Sequence, residues 1–420
     1  MAADMGESKD KRLNSHEGYK SNSVERMISL SSVKTRIQKL QQLMAKDSVD
    51  AVFYATSGNM QYFLGDGSYF WQRTRETNGG KTAAEWHMNS HFLNKPDCIL
   101  YIPADGEPEL FLTYEKLDAM RHIAIKKIPS YFAMLSYAMQ RVLSGKNHIA
   151  VGESCHRELS IMVGSIDSSI EISDAEQYGE KLRLIKDEGE IEKLRAVAEF
   201  TDMSMGIVAS ALLPGVTPRQ VKELIAAIAL SHGTQGIAFE PAVIMVRSGA
   251  PGSEKLFSYP LDEPLQEGTS ITFDYGYVLD GYCSDYGRAF YCGKNDQVRD
   301  AYLALEEAQL HLMDRIKPGE PVSYCYEEAH MKLETHGLGR YLRRAEDYLI
   351  MGHQIGIDQH ERPWLRADED AVFQPGMVFC LEPKIMWPGQ CYLRMEDMVL
   401  VTENGCESLT KFDRSRFYLT

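Results

Sequence analysis

The sequence predicts an α+β protein in two unequal parts, a smaller α/β region and a larger C-terminal region of helices and β-hairpins. Three observations predict this. Helical and strand patterns alternate from Val33 to Ser154. Amphipathic helical patterns recur between Tyr178 and His336. Two stretches, Phe273–Phe290 and Gly376–Gly405, each carry the strand–turn–strand pattern of a hairpin.

Composition narrows the class. A chain of 420 residues has room for two or three domains. Its 44% hydrophobic and 25% charged content is that of an ordinary globular protein with an adequate core. A net charge of −15 argues against a nucleic-acid surface. No apolar run is long enough for a membrane span, and the N-terminus lacks an apolar signal core. The 8 cysteines are scattered without a C-x-x-C pair, which in a chain this long reads as reduced, cytoplasmic thiols.

The elements follow in order. Residues 1–28 are polar, mixed in charge and aperiodic, and read as an N-terminal arm. Residues 29–175 read as an α/β domain. Val33, Ile37, Leu40 and Leu43 set a helix to Lys46, and Val49–Thr56 is a buried strand. Ser57–Gly65 enters a short helix, and CILYIP and PELFLTY pair antiparallel about Gly106. Ile149–Ser154 is a further strand. Residues 176–190 read as a linker into the larger domain, 191–420. Asp187–Glu190 supply an acidic first helical turn, and Leu194, Val197, Ala198 and Thr201 begin its buried stripe. Further helices are expected from Thr217 to Ser231, Val298 to Ile316 and Tyr324 to His336.

The hairpins carry the chemistry. Asp280-Gly281 is a two-residue turn signal. A turn centred there sets Gly276 opposite Asp285 and makes Asp274 a diagonal neighbour of Asp285 on one face. A second turn centred on Gly389 sets Glu382 opposite Glu396. Like charges facing each other destabilise a ladder, and a cation between them removes that cost. Between the hairpins, His353 and His360 stand among glycines and isoleucines. Asp274, Asp285, His353, Glu382 and Glu396 are the candidate ligands. Four carboxylates and a neutral imidazole carry about −4, which two divalent ions would neutralise. Oxygen-rich donors with one imidazole suit Mn, Co, Fe or Zn.

The order Asp, Asp, His, Glu, Glu resembles the pita-bread metallopeptidases: prolidases, aminopeptidase P, methionine aminopeptidases and creatinase. FDYG followed by SDYGRAF is similar to the family's D-x-G … S-D-x-x-R-T-F motif. GHQIGIDQHERP resembles G-H-G-x-G-x-x-x-H-E, and QPGMVFCLEP and LRMEDMVLVTENG resemble the last two motifs. LRLIKDEGEIEKLR resembles the family's entry into its catalytic domain. The resemblance implies a C-terminal pita-bread domain behind a smaller creatinase-type α/β domain, and a homodimer. It implies a metal-bridging hydroxide that attacks an amide carbonyl. Glu382 would shuttle the proton, His360 would stabilise the oxyanion, and Arg394 would orient Glu396 and lie against the substrate. In the family a loop of the N-terminal domain can reach the active site. That would bring Trp71, Arg73, Arg75, Trp86 or His87 from the Tyr69–His91 stretch near the substrate; the plainer alternative is a surface excursion.

One position departs. Proline peptidases carry a substrate-facing histidine about seventeen residues before the first Asp ligand, and this chain has Phe257 there. Phenylalanine offers an apolar wall and a face for a cationic group. The expected function is an Xaa-Pro dipeptidase or aminopeptidase acting on small peptides. The departure keeps open a hydrolase or lyase acting on a small zwitterion, ectoine hydrolase-like or dimethylsulfoniopropionate lyase-like, with Tyr275, Tyr282, Tyr286 or His360 as base. It also leaves open an inactive binding protein.

Overall fold

The structure, a computed structural model, describes residues 30–55, 57–65, 98–112, 120, 123–129, 139–152, 156–343 and 349–419. Helix α1 (Leu30–Lys46) buries Ile37, Leu40 and Met44. It starts one turn before the expected Val33, because Leu30 to Ser32 continue the helical backbone. Strand β1 (Ala51–Ala55) is buried along its whole length, as an uninterrupted apolar run requires. Helix α2 (Gly58–Leu64) opens on Ser57, whose Oγ accepts from Met60 N at 3.1 Å. It closes on Gly65 at φ 67°, a left-handed cap that suits glycine.

Strands β2 (Cys98–Pro103) and β3 (Glu109–Leu112) form the expected antiparallel pair. They are followed by β4 (Lys126–Pro129), β5 (His148–Val151), helix α3 (His156–Ile166) and β6 (Glu171–Asp174). The six strands make one mixed sheet in the order β4-β3-β2-β1-β5-β6. Strand β1 lies inside it, which is why both of its faces are apolar.

The stretch read as a linker is not extended throughout. It holds helix α4 (Glu176–Arg183). Helix α5 (Glu188–Ala211) then begins with a reciprocal capping box between Asp187 and Glu190. Arg36 of α1 pairs with Asp187 at 2.8 Å and Glu190 at 3.3 Å, docking the first helix on that terminus. Helix α6 (Pro218–Ser231) has its own box between Thr217 and Gln220. Strands β7 (Gly236–Ile237) and β8 (Ala242–Arg247) follow; neither is marked by strict alternation in the sequence.

The first hairpin keeps the expected register from end to end, with Thr272 opposite Ala289, Tyr275 opposite Tyr286 and Val278 opposite Cys283. It does not lie in one sheet. Its base, β9 (Thr269–Asp274) and β12 (Ala289–Cys292), belongs to a four-stranded sheet with β8 and β20 (Tyr418–Leu419). Its tip, β10 (Tyr277–Leu279) and β11 (Tyr282–Cys283), joins β7 in a three-stranded sheet. A Cβ on Gly276 would come within 1.7 Å of Ser284 O, so only glycine allows the close crossing at the break.

Helices α7 (Asp296–Arg315) and α8 (Cys325–Glu334) precede the second set of strands. Strands β13 (Ile350–Gln354), β14 (Glu361–Arg366), β15 (Val378–Leu381), β18 (Asp397–Val401) and β19 (Cys406–Ser408) make a five-stranded sheet. The tip of the second hairpin, β16 (Lys384–Trp387) and β17 (Cys391–Arg394), stands apart as a two-stranded ribbon. Pro383 lies at that break and has no N–H to give a ladder.

The larger region is thus two helix-pairs-on-sheet halves. One core packs α5 and α6 residues such as Val197, Met205 and Ile225 against Ile271 and Phe273. The other packs Leu305, Leu312 and Leu333 of α7 and α8 against Phe379, Leu381 and Val399. No helix among the described residues is long and apolar enough to cross a membrane.

Candidate metal centre

The two sheet changes create the site. Asp274 is the last residue of β9, and Asp285 lies between β11 and β12. Glu382 follows β15 and Glu396 precedes β18. All four carboxylates therefore sit where a hairpin leaves one sheet for another. There the ladder loosens and side chains converge. His353 comes from β13, opposite Cys380 on one side and Trp364 on the other.

Geometry brings the five expected residues to one place. His353 Nδ1–H donates to Gln354 O at 3.0 Å, which turns Nε2 toward the carboxylates. His353 Nε2 is 3.5 Å from Asp285 Oδ2 and 4.0 Å from Glu382 Oε1. One donor atom each from Asp285, His353, Cys380 and Glu396 lies within 4.8 Å of every other, and all four residues are buried. Asp274 Oδ1, Asp285 Oδ1 and both Glu396 oxygens are buried without a hydrogen-bond partner among the described residues. Buried carboxylate oxygens left so are costly unless something positive meets them.

Part of that positive charge is built in. The Arg394 guanidinium contacts Asp274 and Glu382, and its Nε is 2.8 Å from Glu396 Oε2, although off the line of a hydrogen bond. Lys384 Nζ contacts Glu382 as well. Arg394, expected to orient Glu396 and to lie against the substrate, lines the cavity, is 4% exposed and turns its guanidinium to the carboxylates. Lys384 was missed, yet it lies two residues after Glu382, which on a strand is the same face. Gln359 was also missed; its Nε2 donates to Asp285 Oδ2 at 3.0 Å.

The electrostatics record the crowding. Burial pushes the Glu396 carboxyl up to about 8; Arg394 opposes this, and Asp285 and Glu382 add to it. Burial alone would lower His353, but Asp285 and Glu382 overcome it and lift the imidazole to about 9. His360 moves the other way, lowered by burial and by neighbouring His353, so it stays neutral. Its ring stacks on Trp364 with centroids 5.2 Å apart.

A cavity of about 420 Å³ opens onto these groups. Asp274, Asp285, His353, His360, Glu382 and Arg394 line one side. Phe239, Ile350, Met351 and Trp364 supply apolar wall, with Arg343 and Lys384 nearby. Phe257 does not line it. It is 60% exposed and meets Tyr392 edge-to-face at 5.5 Å. The tyrosines weighed as bases point elsewhere. Tyr282 Oη donates to Glu190 at 3.0 Å and Tyr275 Oη lies 3.3 Å from Ser204 Oγ. Tyr286 is fully buried against Arg288. Trp71, Arg73, Arg75, Trp86 and His87 lie outside the described residues.

Behind the site, Glu361 anchors the strand that follows His360. Its carboxylate meets Arg183 of α4 and, at 3.0 Å, Lys186 Nζ. Arg183 also holds Asp358 at 2.5 Å, and Lys186 donates to Gln354 Oε1 at 2.5 Å. Arg183 and Lys186 therefore brace both the strand that carries His353 and the turn that carries His360.

Residues 192–403 match metallopeptidase family M24. The chain belongs to this family. The M24 match spans Asp274, Asp285, His353, His360, Glu382 and Glu396. An Xaa-Pro dipeptidase of Pyrococcus furiosus is 25% identical over 385 residues, covering 91% of this chain and 99% of that protein. The crystal structure of a prolidase from Pyrococcus horikoshii OT3 superposes with a TM-score of 0.74 at 21% identity, covering 91% of this chain and 100% of that one. An Xaa-Pro dipeptidase from Bacillus anthracis gives a TM-score of 0.74 at 22% identity, over 92% of this chain and 100% of that one. The fold is the pita-bread fold, and the chain is an M24 metallohydrolase.

Proposed function

We propose that this M24 chain is a dinuclear dipeptidase that hydrolyses the amide bond of small Xaa-Pro-type peptides. The observation that carries the proposal is the set of carboxylate oxygens of Asp274, Asp285 and Glu396 with no hydrogen-bond partner among the described residues, Asp274 and Asp285 lining a cavity of about 420 Å³ and Glu396 buried beside them. Asp274, Asp285, His353, Glu382 and Glu396 would hold two divalent ions of Mn, Co, Fe or Zn. Those ions, when bound, make water a nucleophile near neutral pH and polarise the carbonyl it attacks.

The chain's own groups do the rest. Glu382 Oε2 is held by Lys384 and Arg394, which leaves Oε1 on the His353 side to take the proton from the attacking water. The same carboxyl then delivers that proton to the leaving amine. Neutral His360, set by its stack on Trp364, donates N–H to the oxygen that becomes negative as the carbonyl is attacked. Phe239, Ile350 and Trp364 exclude water from the apolar part of the substrate.

Residues 29–175 and 191–420 act as the two domains behind the arm 1–28, and the chain pairs as a homodimer with each smaller domain beside its partner's site. A monomeric mass by light scattering at micromolar concentration counts against the dimer. The seven free cysteines among the described residues suit a reducing cytoplasm.

The test is turnover. Metal-loaded protein is offered Xaa-Pro dipeptides, Xaa-Pro tripeptides and a panel of betaine-like zwitterions. Dipeptide cleavage that stops on chelation and returns with Mn or Co supports the proposal. Zwitterion turnover without peptide turnover overturns it. Elemental analysis of a protein carrying Asp285→Asn and Glu396→Gln should show most of the metal gone.

A further inference from the structure

The donor set around His353 contains an atom that the carboxylate-and-imidazole reading does not use. Cys380 is fully buried and lies on β15 two residues before Glu382, so strand alternation puts both side chains on one face. Across the ladder, Cys380 is paired with His353. The register that pairs Cys380 with Met398 also brings Glu396 onto that face, opposite Glu382. The Cys380 thiol donates only a long bond, 3.7 Å, to the backbone Asp285 O, and the other donor atoms of its cluster are carboxylate oxygens and an imidazole nitrogen.

From this geometry we infer that Cys380 adds a sulfur ligand to one of the two ions, beside Asp285, His353 and Glu396. The inference rests on the metal-binding reading above. Four donors no more than 4.8 Å apart need to close in by less than about 1 Å each to reach coordination distances of about 2.0–2.3 Å. Two of them, Asp285 and Glu396, are at most 1% exposed and keep oxygens with no hydrogen-bond partner among the described residues. On binding, the thiol loses its proton to solvent and the thiolate sulfur gives an electron pair to the ion; nothing is oxidised or reduced.

The choice of metal follows. A thiolate is a soft donor and selects Zn, Co or Fe over Mn. This position then takes Zn, Co or Fe, while the oxygen-rich position near Asp274 accepts Mn. The other thiol at this wall lies outside the four-donor cluster; Cys283 Sγ donates to Ile357 O at 3.2 Å.

Cobalt reports the bond directly. The full-length protein is stripped, loaded with one and then two equivalents of Co²⁺, and its near-ultraviolet spectrum recorded. A thiolate–Co²⁺ charge-transfer band is expected in the wild type and in Cys283→Ser, and its loss in Cys380→Ser and Cys380→Thr. Those Cys380 variants should also shift the Zn-to-Mn ratio at equilibrium toward Mn. If either variant fails to fold, the wild-type spectrum alone decides. Bound cobalt without the band overturns the inference and leaves the metal-binding reading standing. Failure to retain any divalent ion overturns both.

Discussion

Glu382 and Glu396 face each other at the rung where the second hairpin passes between sheets. Leu381 pairs with Asp397 on one side of them and Lys384 with Arg394 on the other. The register is continuous, so the break costs no pairing specificity. It bends the hairpin and leaves two carboxylates in a gap of backbone pairing. Asp274 and Asp285 occupy the same place in the first hairpin.

Gly287 keeps those gaps open. A Cβ there would sit 2.6 Å from Arg394 Cδ, 2.8 Å from Glu396 Oε2 and 2.8 Å from Phe273 O. The backbone oxygen cannot swing away. Gly287→Ala should cost about 1–3 kcal/mol by overpacking, and displace Arg394 and Glu396 together. Denaturant midpoints and metal content check it; an unchanged metal content rejects the cradle role of this glycine.

His360→Ala should separate chemistry from metal binding. His360 lies between Trp364 and His353 and lines the cavity. Loss of one oxyanion donor costs roughly 10²–10³ in kcat. Metal content should stay at the wild-type level. A fall in metal content matching the fall in kcat would show that His360 holds an ion instead.

Asp397 holds the wall behind Glu396. It accepts from Arg288 at 2.6 Å, Arg414 at 2.8 Å and Thr410 at 2.6 Å, fully buried. Arg288 in turn donates to Glu396 O at 2.6 Å. Asp397→Ala strands a buried guanidinium and should destabilise by about 3–5 kcal/mol. Replacing Arg288 with Met and Asp397 with Leu together should cost less than Asp397→Ala alone, as a double-mutant cycle would show.

Glu361 makes the fold acid-sensitive in a defined window. Burial would raise its carboxyl, but Arg183 and Lys186 outweigh burial and hold it at about 2 instead of the usual 4.5. A depressed folded value means the unfolded chain takes up the proton first. The stabilisation is complete above about pH 4.5 and is lost as pH falls toward about 2. The advantage in thermal midpoint of the wild type over Glu361→Gln should shrink across that range. A constant gap would show that the ion pairs do not contribute through charge.

Much of the site was legible because hairpin register is a local property. A two-residue turn at Asp280-Gly281 and a turn at Gly389 set which carboxylates oppose each other, and strand alternation set their face. Helix starts were legible for the same reason. The acidic turn Asp187–Glu190 marks the start of α5, and Ser57–Gly65 brackets α2.

What the sequence by itself determined is therefore the main helices of the larger region, the two hairpin registers, and the five residues they and the Gly352–Arg362 turn could bring together. Only the tertiary structure decided that each hairpin changes sheets at its carboxylates. The cause is close crossing at Gly276 and the missing donor at Pro383, which act only once neighbouring strands are in place. It also decided that Arg394 faces three carboxylates and that Phe257 stays off the cavity wall. Finally, it decided that Arg183 and Lys186 brace Glu361 from 175 or more residues away along the chain. Contacts at such separations have no local periodicity to announce them. They exist because burying a carboxylate demands a cation, and the folded chain supplied the one within reach.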